Sequence, residues 1–335
     1  MTLEPTIPGQ SVESTALTYD TTISRALVHR AAVSEVFLTD VRAIDDRTVV
    51  IAAQLPRCHG YFNDHTKWHV KVDPLLLFEV ARQATLASAH ALKVPQKTIL
   101  ISSECELDIQ DIAAFEDWEK PTEITIENTF DWTTLRRGEP RAGICKQVIS
   151  VNGQIAATHW SSGQFMSHSQ LAALREEQRG DLPPSTAQML DRPEGAALPS
   201  GEVGRNNKLN VVLSKLEYSG GMARATIAPP WQNRALFDHS YDHLTMQILT
   251  EAARQLTMLA LSQDPNAEVD HWDVHFVKGE FGQFAEIDLP VVVKTRIPTE
   301  RADEVRVRVD IVQASQEIAA ITLGLTTNTR GQGHE

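Results

Sequence analysis

Cysteine is scarce in this chain. Cys58, Cys105 and Cys145 are the whole set, all lie in the first half, and their spacing suits no metal. A disulfide framework is not expected, and a reducing compartment, the cytoplasm, is the simpler reading; the three residues read as core or strand positions. Positive charge is also short. The formal net charge is −13, which argues against nucleic acid as the main partner, because phosphate backbones need a basic surface. Any anionic substrate must therefore meet a local cluster of Arg or Lys. No apolar run reaches the length of a membrane span. The opening stretch, MTLEPTIPGQSVESTALTYD, lacks a basic region followed by an apolar one, so it does not read as a secretory signal. A phosphate-cradling Gly loop, a metal motif and a dinucleotide fingerprint are all missing. Neither a metal nor a cofactor is expected.

What is present is a repeat. The chain has 335 residues, which suits two domains of roughly 150 residues each. Glu79-Val80-Ala81-Arg82-Gln83 returns as Glu251-Ala252-Ala253-Arg254-Gln255. Upstream, Phe62-Asn63-Asp64-His65 matches Phe237-Asp238-His239. Arg30 precedes Phe37-Leu38-Thr39 as Arg205 precedes Val212-Leu213-Ser214, and Ile155-Ala156-Ala157 echoes Ile318-Ala319-Ala320. Landmarks in one order imply duplication. Residues 1–24 read as a mobile lead, 25–167 as the first domain and 201–327 as the second. Residues 168–200 read as a connection that starts with a short helix and continues as a Pro-, Gly- and Ser-bearing linker, and 328–335 as a loose tail.

Each half has one layout. Alternating stretches such as VSEVFL and RTVVIAAQL read as early strands. A long helix follows, from about Asp73 to Lys93 in the first half and from near Asp242 to about Ser262 in the second. Asp73 suits an N-cap and Pro74 a first helical residue. Both helices are apolar nearly all round, so both are expected to be buried on most faces. Later stretches such as ILISSECEL, CKQVISV, EVRVRVDIV and QEIAAITLGL read as strands. The fold class is α+β, a curved antiparallel sheet wrapped round a helix, twice.

Buried helices make the charges on them conspicuous. Glu79 and Arg82, like Glu251 and Arg254, stand at i, i+3 on one helix face. They read either as an ion pair that holds helices together, or as a carboxylate that orients a guanidinium for anion binding and proton transfer. His65 lies fourteen residues before Glu79, and His239 and His243 precede Glu251. A histidine ahead of a helix suits acid/base work, although many loop histidines are plain surface residues. Arg136, Arg137 and Arg141 in LRRGEPRAG read as a solvated hairpin tip, or as a docking patch for an acidic carrier protein.

The segments LVHRAAVSEVFLTD, DPLLLFEVARQA and FDHSYDHLTMQILTEAARQL resemble the hotdog repeat of the A-factor biosynthesis (AfsA-type) family, from about Arg25 to about Thr326. The resemblance implies a tandem double hotdog. It also implies an acyltransferase that joins a β-ketoacyl group, carried as a thioester on acyl carrier protein, to the hydroxyl of dihydroxyacetone phosphate. The product would lead to a γ-butyrolactone, butenolide or furan signalling molecule of actinobacteria. Glu79, Arg82, Glu251 and Arg254 are the functional positions it implies. Glu251 would take or orient the hydroxyl proton and Arg254 would bind the phosphate, with Glu79 and Arg82 as a second or supporting site. Gln83, Gln255, Asp242, His243, Arg30 and Arg205 are the neighbours expected to contact substrate.

The repeat is also distantly similar to hotdog dehydratases, whose loop histidine precedes a helix carboxylate by the spacing of His65 and Glu79. A dehydratase or thioesterase acting on acyl thioesters is therefore the alternative, and a non-catalytic acyl-ligand-binding regulator the third reading. One departure from the family stands out: its second repeat reads Asp-His-x-Pro-Gly-Met, and here Asp242-His243-Leu244-Thr245-Met246-Gln247 has no Pro-Gly. An oxyanion site at that helix start is in question. A double hotdog supplies its own pseudo-dimer, so monomer and homodimer both remain open.

Overall fold

The computed structural model describes residues 16–67, 72–116, 119–190, 196–263, 272–298 and 303–327. The tail 328–335, most of the expected lead and part of the linker lie outside the described residues. In the first half, β1 (Leu38–Ala43) and β2 (Thr48–Gln54) form a hairpin ahead of α1 (Pro74–Ala91). Then come β3 (Thr98–Ile109), β4 (Glu123–Arg136), β5 (Glu139–Val151) and β6 (Gln154–Ser167). A connecting helix, α2 (His168–Arg179), leads to the second half. There the order is β7 (Leu213–Ser219), β8 (Met222–Ile227), β9 (His243–Leu244), α3 (Met246–Leu261), β10 (Trp272–Phe281), β11 (Ala285–Glu286), β12 (Val291–Arg296), β13 (Glu304–Gln313) and β14 (Gln316–Thr327).

The strands build one twelve-stranded sheet, β1-β2-β4-β5-β6-β3-β10-β14-β13-β12-β8-β7. Read outward from its middle, the two halves have the same order, so the duplication is visible in the topology. β3 and β10 pair antiparallel at the junction, with Gly279 opposite Cys105. A Cβ at Gly279 would lie 2.7 Å from the Phe281 ring and 3.1 Å from Cys105 Sγ, so a larger residue there would have to push these side chains aside. The chain is a double hotdog, with α1 and α3 on the sheet and touching each other.

The helices form where the sequence places apolar residues on every face. Asp73 caps α1 by accepting from the Leu75 amide at 2.8 Å, with Pro74 at the first position. α2 is fixed by a capping box of Ser167 and Gln170 and ends at Gly180 in the left-handed region. α3 begins at Met246, not near Asp242, because His243 and Leu244 are drawn into pairing with β11. VSEVFL is not a strand over most of its length: Val33–Glu35 make a 3-10 turn and β1 starts at Leu38. Cys105 and Cys145 are buried on strands, with burial pushing both thiols up to about 12, but Cys58 is an exposed loop residue. Among the described residues, no helix is long and apolar enough to cross a membrane.

Candidate active site

Each central helix carries a four-residue polar cluster. On α1, Arg82 donates from Nε to Glu79 Oε2 and from Nη2 to Oε1, both at 2.8 Å. Arg30, which precedes the first hairpin, reaches in to Glu79 Oε1 at 2.7 Å. Gln83 Nε2 donates to the same Oε1 at 2.7 Å and to the Glu35 carbonyl, while its Oε1 accepts from the Phe37 amide. On α3 the pattern repeats. Arg254 and Arg205 each hold Glu251 at 2.8 Å, and Gln255 bridges Glu251 and the backbone at Asn210 and Val212. The upstream arginines, spaced far from the helices in sequence, thus complete both clusters.

Burial would raise both carboxyls, but the paired guanidiniums outweigh it. Glu79 is brought to about 2 by Arg30 and Arg82, and Glu251 is held well below the usual carboxylate range by Arg205 and Arg254. The oxygens of each carboxylate are taken up by two guanidiniums and a glutamine amide, so neither is free to accept a proton. Both act as anchors that fix their arginines.

The clusters differ in access because each loop crosses to the other repeat. Asp64 accepts from the amides of Asn206 and Asn207, and Asp238 accepts from those of Ala31 and Ala32. The first repeat's loop closes the second cluster: the Tyr61 hydroxyl donates to Glu251 Oε2 at 3.0 Å, and Arg205 donates to the carbonyls of Tyr61 and Asp64. Arg254 keeps only 6 % side-chain exposure there, against 25 % for Arg82.

The second repeat's loop instead leaves a cavity of about 1120 Å³ over the first cluster. Arg30, Glu79 and Arg82 form its charged end, and His239, Tyr241 and His243 come from the loop across it. Leu75, Phe78, Leu86, Leu171, Leu249 and Phe281 supply apolar wall. The start of α3 also contributes. Thr245 and Gln247 line the cavity, and Thr245 Oγ1 and Gln247 Nε2 are buried with no hydrogen-bond partner among the described residues.

The histidine expected to face Glu79 from its own repeat does not do so. His65 does not line this cavity; its Nε2 lies 3.0 Å from Asp73 Oδ2 and 3.0 Å from the Phe62 carbonyl. The loop crossing puts His239 there instead, next to Asp238 and tilted against Tyr241 with ring centroids 4.2 Å apart. His243 Nδ1 pairs with Asp242 Oδ1 at 2.6 Å. Burial opposes the charge on Asp242, but His243 and Arg175 bring its carboxyl down to about 2. Arg136, Arg137 and Arg141 surround the β4–β5 hairpin tip and none lines the cavity. Among the described residues, no group of three or more His, Cys, Asp or Glu side chains is placed to hold a metal.

Sequence reasoning missed Tyr61, Tyr241 and Arg175. Arg175 on α2 is 1 % exposed; it grips Glu286 at 2.7 Å and Asp242 at 3.2 Å and lies over the Phe284 ring. It ties the connecting helix to the β9–β11 wall of the cavity. Its only sequence signal was a basic residue within a helical linker.

Relatives that share most of the chain include two Streptomyces proteins. A Streptomyces virginiae protein named 2-oxo-3-(phosphooxy)propyl 3-oxoalkanoate synthase is 28% identical, covering 92% of this chain and 98% of its own. A protein of the same name from Streptomyces coelicolor is also 28% identical, over 86% of this chain and 85% of its own. Among solved structures, a putative oleoyl thioesterase from Lactobacillus plantarum superposes with a TM-score of 0.48 at 12% identity, covering 83% of this chain and 95% of its own. The A-factor biosynthesis hotdog domain (AfsA) matches residues 13–167 and 186–329, and the chain belongs to that family.

Proposed function

We propose that this protein is an acyltransferase that joins a β-ketoacyl group, delivered as a thioester by acyl carrier protein, to dihydroxyacetone phosphate. The names of the Streptomyces relatives describe such an ester: a 3-oxoalkanoate on a phosphorylated hydroxypropanone. The observation that carries the reading is the cavity itself, which joins a guanidinium with free access to a long apolar wall. Such a site suits a small phosphate and an acyl chain together.

Arg82 binds the phosphate, because Glu79 locks its Nε and Nη2 edge while the side chain lines the cavity and keeps 25 % exposure. Arg30 and Gln83 hold Glu79 in place. The thioester carbonyl lies at the start of α3, where Gln247 Nε2, Thr245 Oγ1 and the helix N-terminus offer donors to the developing oxyanion. Gln247 thus stands in for the missing Pro-Gly. His239 and His243 border the reacting groups. The second cluster, Arg205, Glu251, Arg254 and Gln255, braces the fold beneath Tyr61. The reaction needs no cofactor, and the cytoplasm, which holds both substrates, is its setting.

The test is to combine purified protein, β-ketoacyl carrier protein and dihydroxyacetone phosphate and follow the products by mass spectrometry. The phosphorylated ester, or the ring that forms from it by aldol closure, is the expected product. Free acid would point to a thioesterase and an enoyl thioester to a dehydratase. Binding of the acyl chain without turnover would point to a regulator.

A further inference from the structure

His29 stands at a position its repeat partner fills with glycine. It ends a short 3-10 turn, directly before Arg30, with φ 53°; Gly204 ends the matching turn, directly before Arg205, with φ 72°. A histidine in the left-handed region is uncommon and costs backbone energy that glycine avoids. Here the side chain lines the cavity beside Arg82.

Its ring is held in one tautomer. His90, at the end of α1, faces the Val94 carbonyl with Nδ1 at 3.0 Å. A carbonyl only accepts, so His90 carries its proton on Nδ1 and offers the lone pair of Nε2. His29 Nε2 lies 3.2 Å from His90 Nε2 and must donate to its lone pair. The proton of neutral His29 is therefore on Nε2, and Nδ1 is left as an acceptor with no hydrogen-bond partner among the described residues. The charged and titratable groups around it are His90 and Arg82 on α1, His239 on the loop before β9 and His168 at the start of α2. Burial first, and then the electrostatics of these neighbours, favour the neutral ring.

We infer that His29 Nδ1 is the general base of the acyl transfer, with His90 positioning it through the Nε2 hydrogen bond. The inference rests on the reaction proposed above. The hydroxyl of the acceptor loses its proton to Nδ1 as its oxygen attacks the thioester carbonyl. The C–O bond forms, the C–S bond breaks, and the proton passes from Nδ1 to the departing thiolate. Arg82 and Glu79 remain unchanged throughout.

Two measurements test it. Long-range proton–nitrogen NMR on protein labelled with ¹⁵N-histidine should show His29 at pH 7 as the Nε2–H tautomer and His90 as the Nδ1–H tautomer. An imidazolium or an Nδ1–H tautomer at His29 overturns the inference, whether or not the reaction proposed for the protein is right. The second measurement is turnover of His29→Gly, a substitution the backbone accepts because Gly204 already sits in the same conformation. The expected result is a kcat lower by about 100-fold or more, little change in KM, loss of the acid limb of the pH–rate profile, and partial rescue by added imidazole. His90→Phe should shift that limb, where a purely structural role would leave it in place. A His29→Gly protein with wild-type kcat and pH profile sinks the proposal. Absence of product from the wild-type protein would sink the acyltransferase reading instead, and the NMR result would still decide the tautomer relay.

Discussion

The Tyr61 hydroxyl donates to Glu251 Oε2 at 3.0 Å, so a residue of the first repeat's loop seals the charged cluster of the second. Burial and the Glu251 charge both keep that phenol protonated. Glu251 already accepts from Arg205, Arg254 and Gln255. Tyr61→Phe should therefore cost about 1.5–3 kcal/mol of stability, the worth of a hydrogen bond to a charged group. Turnover should stay near wild type. Urea denaturation and steady-state kinetics check both halves, and a collapse of turnover without loss of stability would move the chemistry to the second cluster.

The two arginines of the repeated motif should separate activity from stability. Arg82 is partly open to the cavity, and Arg254 is enclosed. Arg82→Ala should lower kcat/KM for the phosphorylated acceptor by roughly a hundredfold or more, in the range seen when a charged group that stabilises a transition state is removed. Its melting temperature should change little. Arg254→Ala removes one partner of a buried pair and should destabilise by about 3–5 kcal/mol, with any remaining folded protein still active. Calorimetry and initial rates on both variants give the comparison; the opposite pattern would place the phosphate at Arg254.

That asymmetry marks the limit of what could be read in the sequence. Glu-x-x-Arg-Gln on two apolar helices identified both clusters, since charges on such helices must be paired. The spacing of Arg30 and Arg205 from the first strands suggested that they too belong to the repeat, and both reach the helix carboxylates. The strand and helix pattern was legible because its periods are local. What was not legible was which loop covers which helix. His65 and Glu79 match a spacing, yet the chain sends each loop across the pseudo-dimer, so His239 borders the Glu79 cavity. That exchange depends on the β3–β10 junction and on contacts such as Asp64 to Asn206, which join residues far apart in the chain. His29 was missed because one histidine among twelve carries no signal until its φ angle and its Gly204 counterpart are seen.

Acid should destabilise the protein in two stages. His29 titrates at about 4 in the fold against 6.5 ordinarily, owing to burial and the nearby His90 and Arg82. A depressed histidine contributes fully above 6.5 and loses that contribution as pH falls toward 4. Glu79, at about 2 against 4.5, contributes fully above 4.5 and loses it as pH falls toward 2. For the buried Glu79 the loss amounts to about 3 kcal/mol. Stability against pH, measured by urea midpoints, should thus fall in two limbs. His29→Gly should make the upper limb shallower without removing it, because buried His159, pushed down to about 3, and His90, also lowered by burial, lose stability over the same range, and it should leave the lower limb; an unchanged upper limb would show that His29 contributes nothing to it.

Arg175 should prove a stronger determinant of the site than its distance from the charged end suggests. Its guanidinium joins Glu286 on β11 and Asp242 ahead of β9, and Arg179 adds Glu286 and Asp288. The connecting helix α2 is mostly polar, and these pairs help to fix it against the wall. α2 also lends Leu171 and Leu174 to the cavity lining. Arg175→Ala leaves Glu286 and Asp242 short of a partner and removes the cation from the Phe284 face, which lies 4.3 Å away. Glu286 keeps Arg179 and Asp242 keeps His243, so the cost should be about 1.5–3 kcal/mol, the worth of a hydrogen bond to a charged group. Because β9 leads directly into α3, the donors at Thr245 and Gln247 should shift with it. KM for the acyl thioester should then rise several-fold and kcat fall, while affinity for the phosphorylated acceptor at Arg82 stays nearly constant. Separate titration of the two substrates measures this split. Equal losses for both would mean that α2 supports the whole fold and has no particular hold on the acyl end of the cavity.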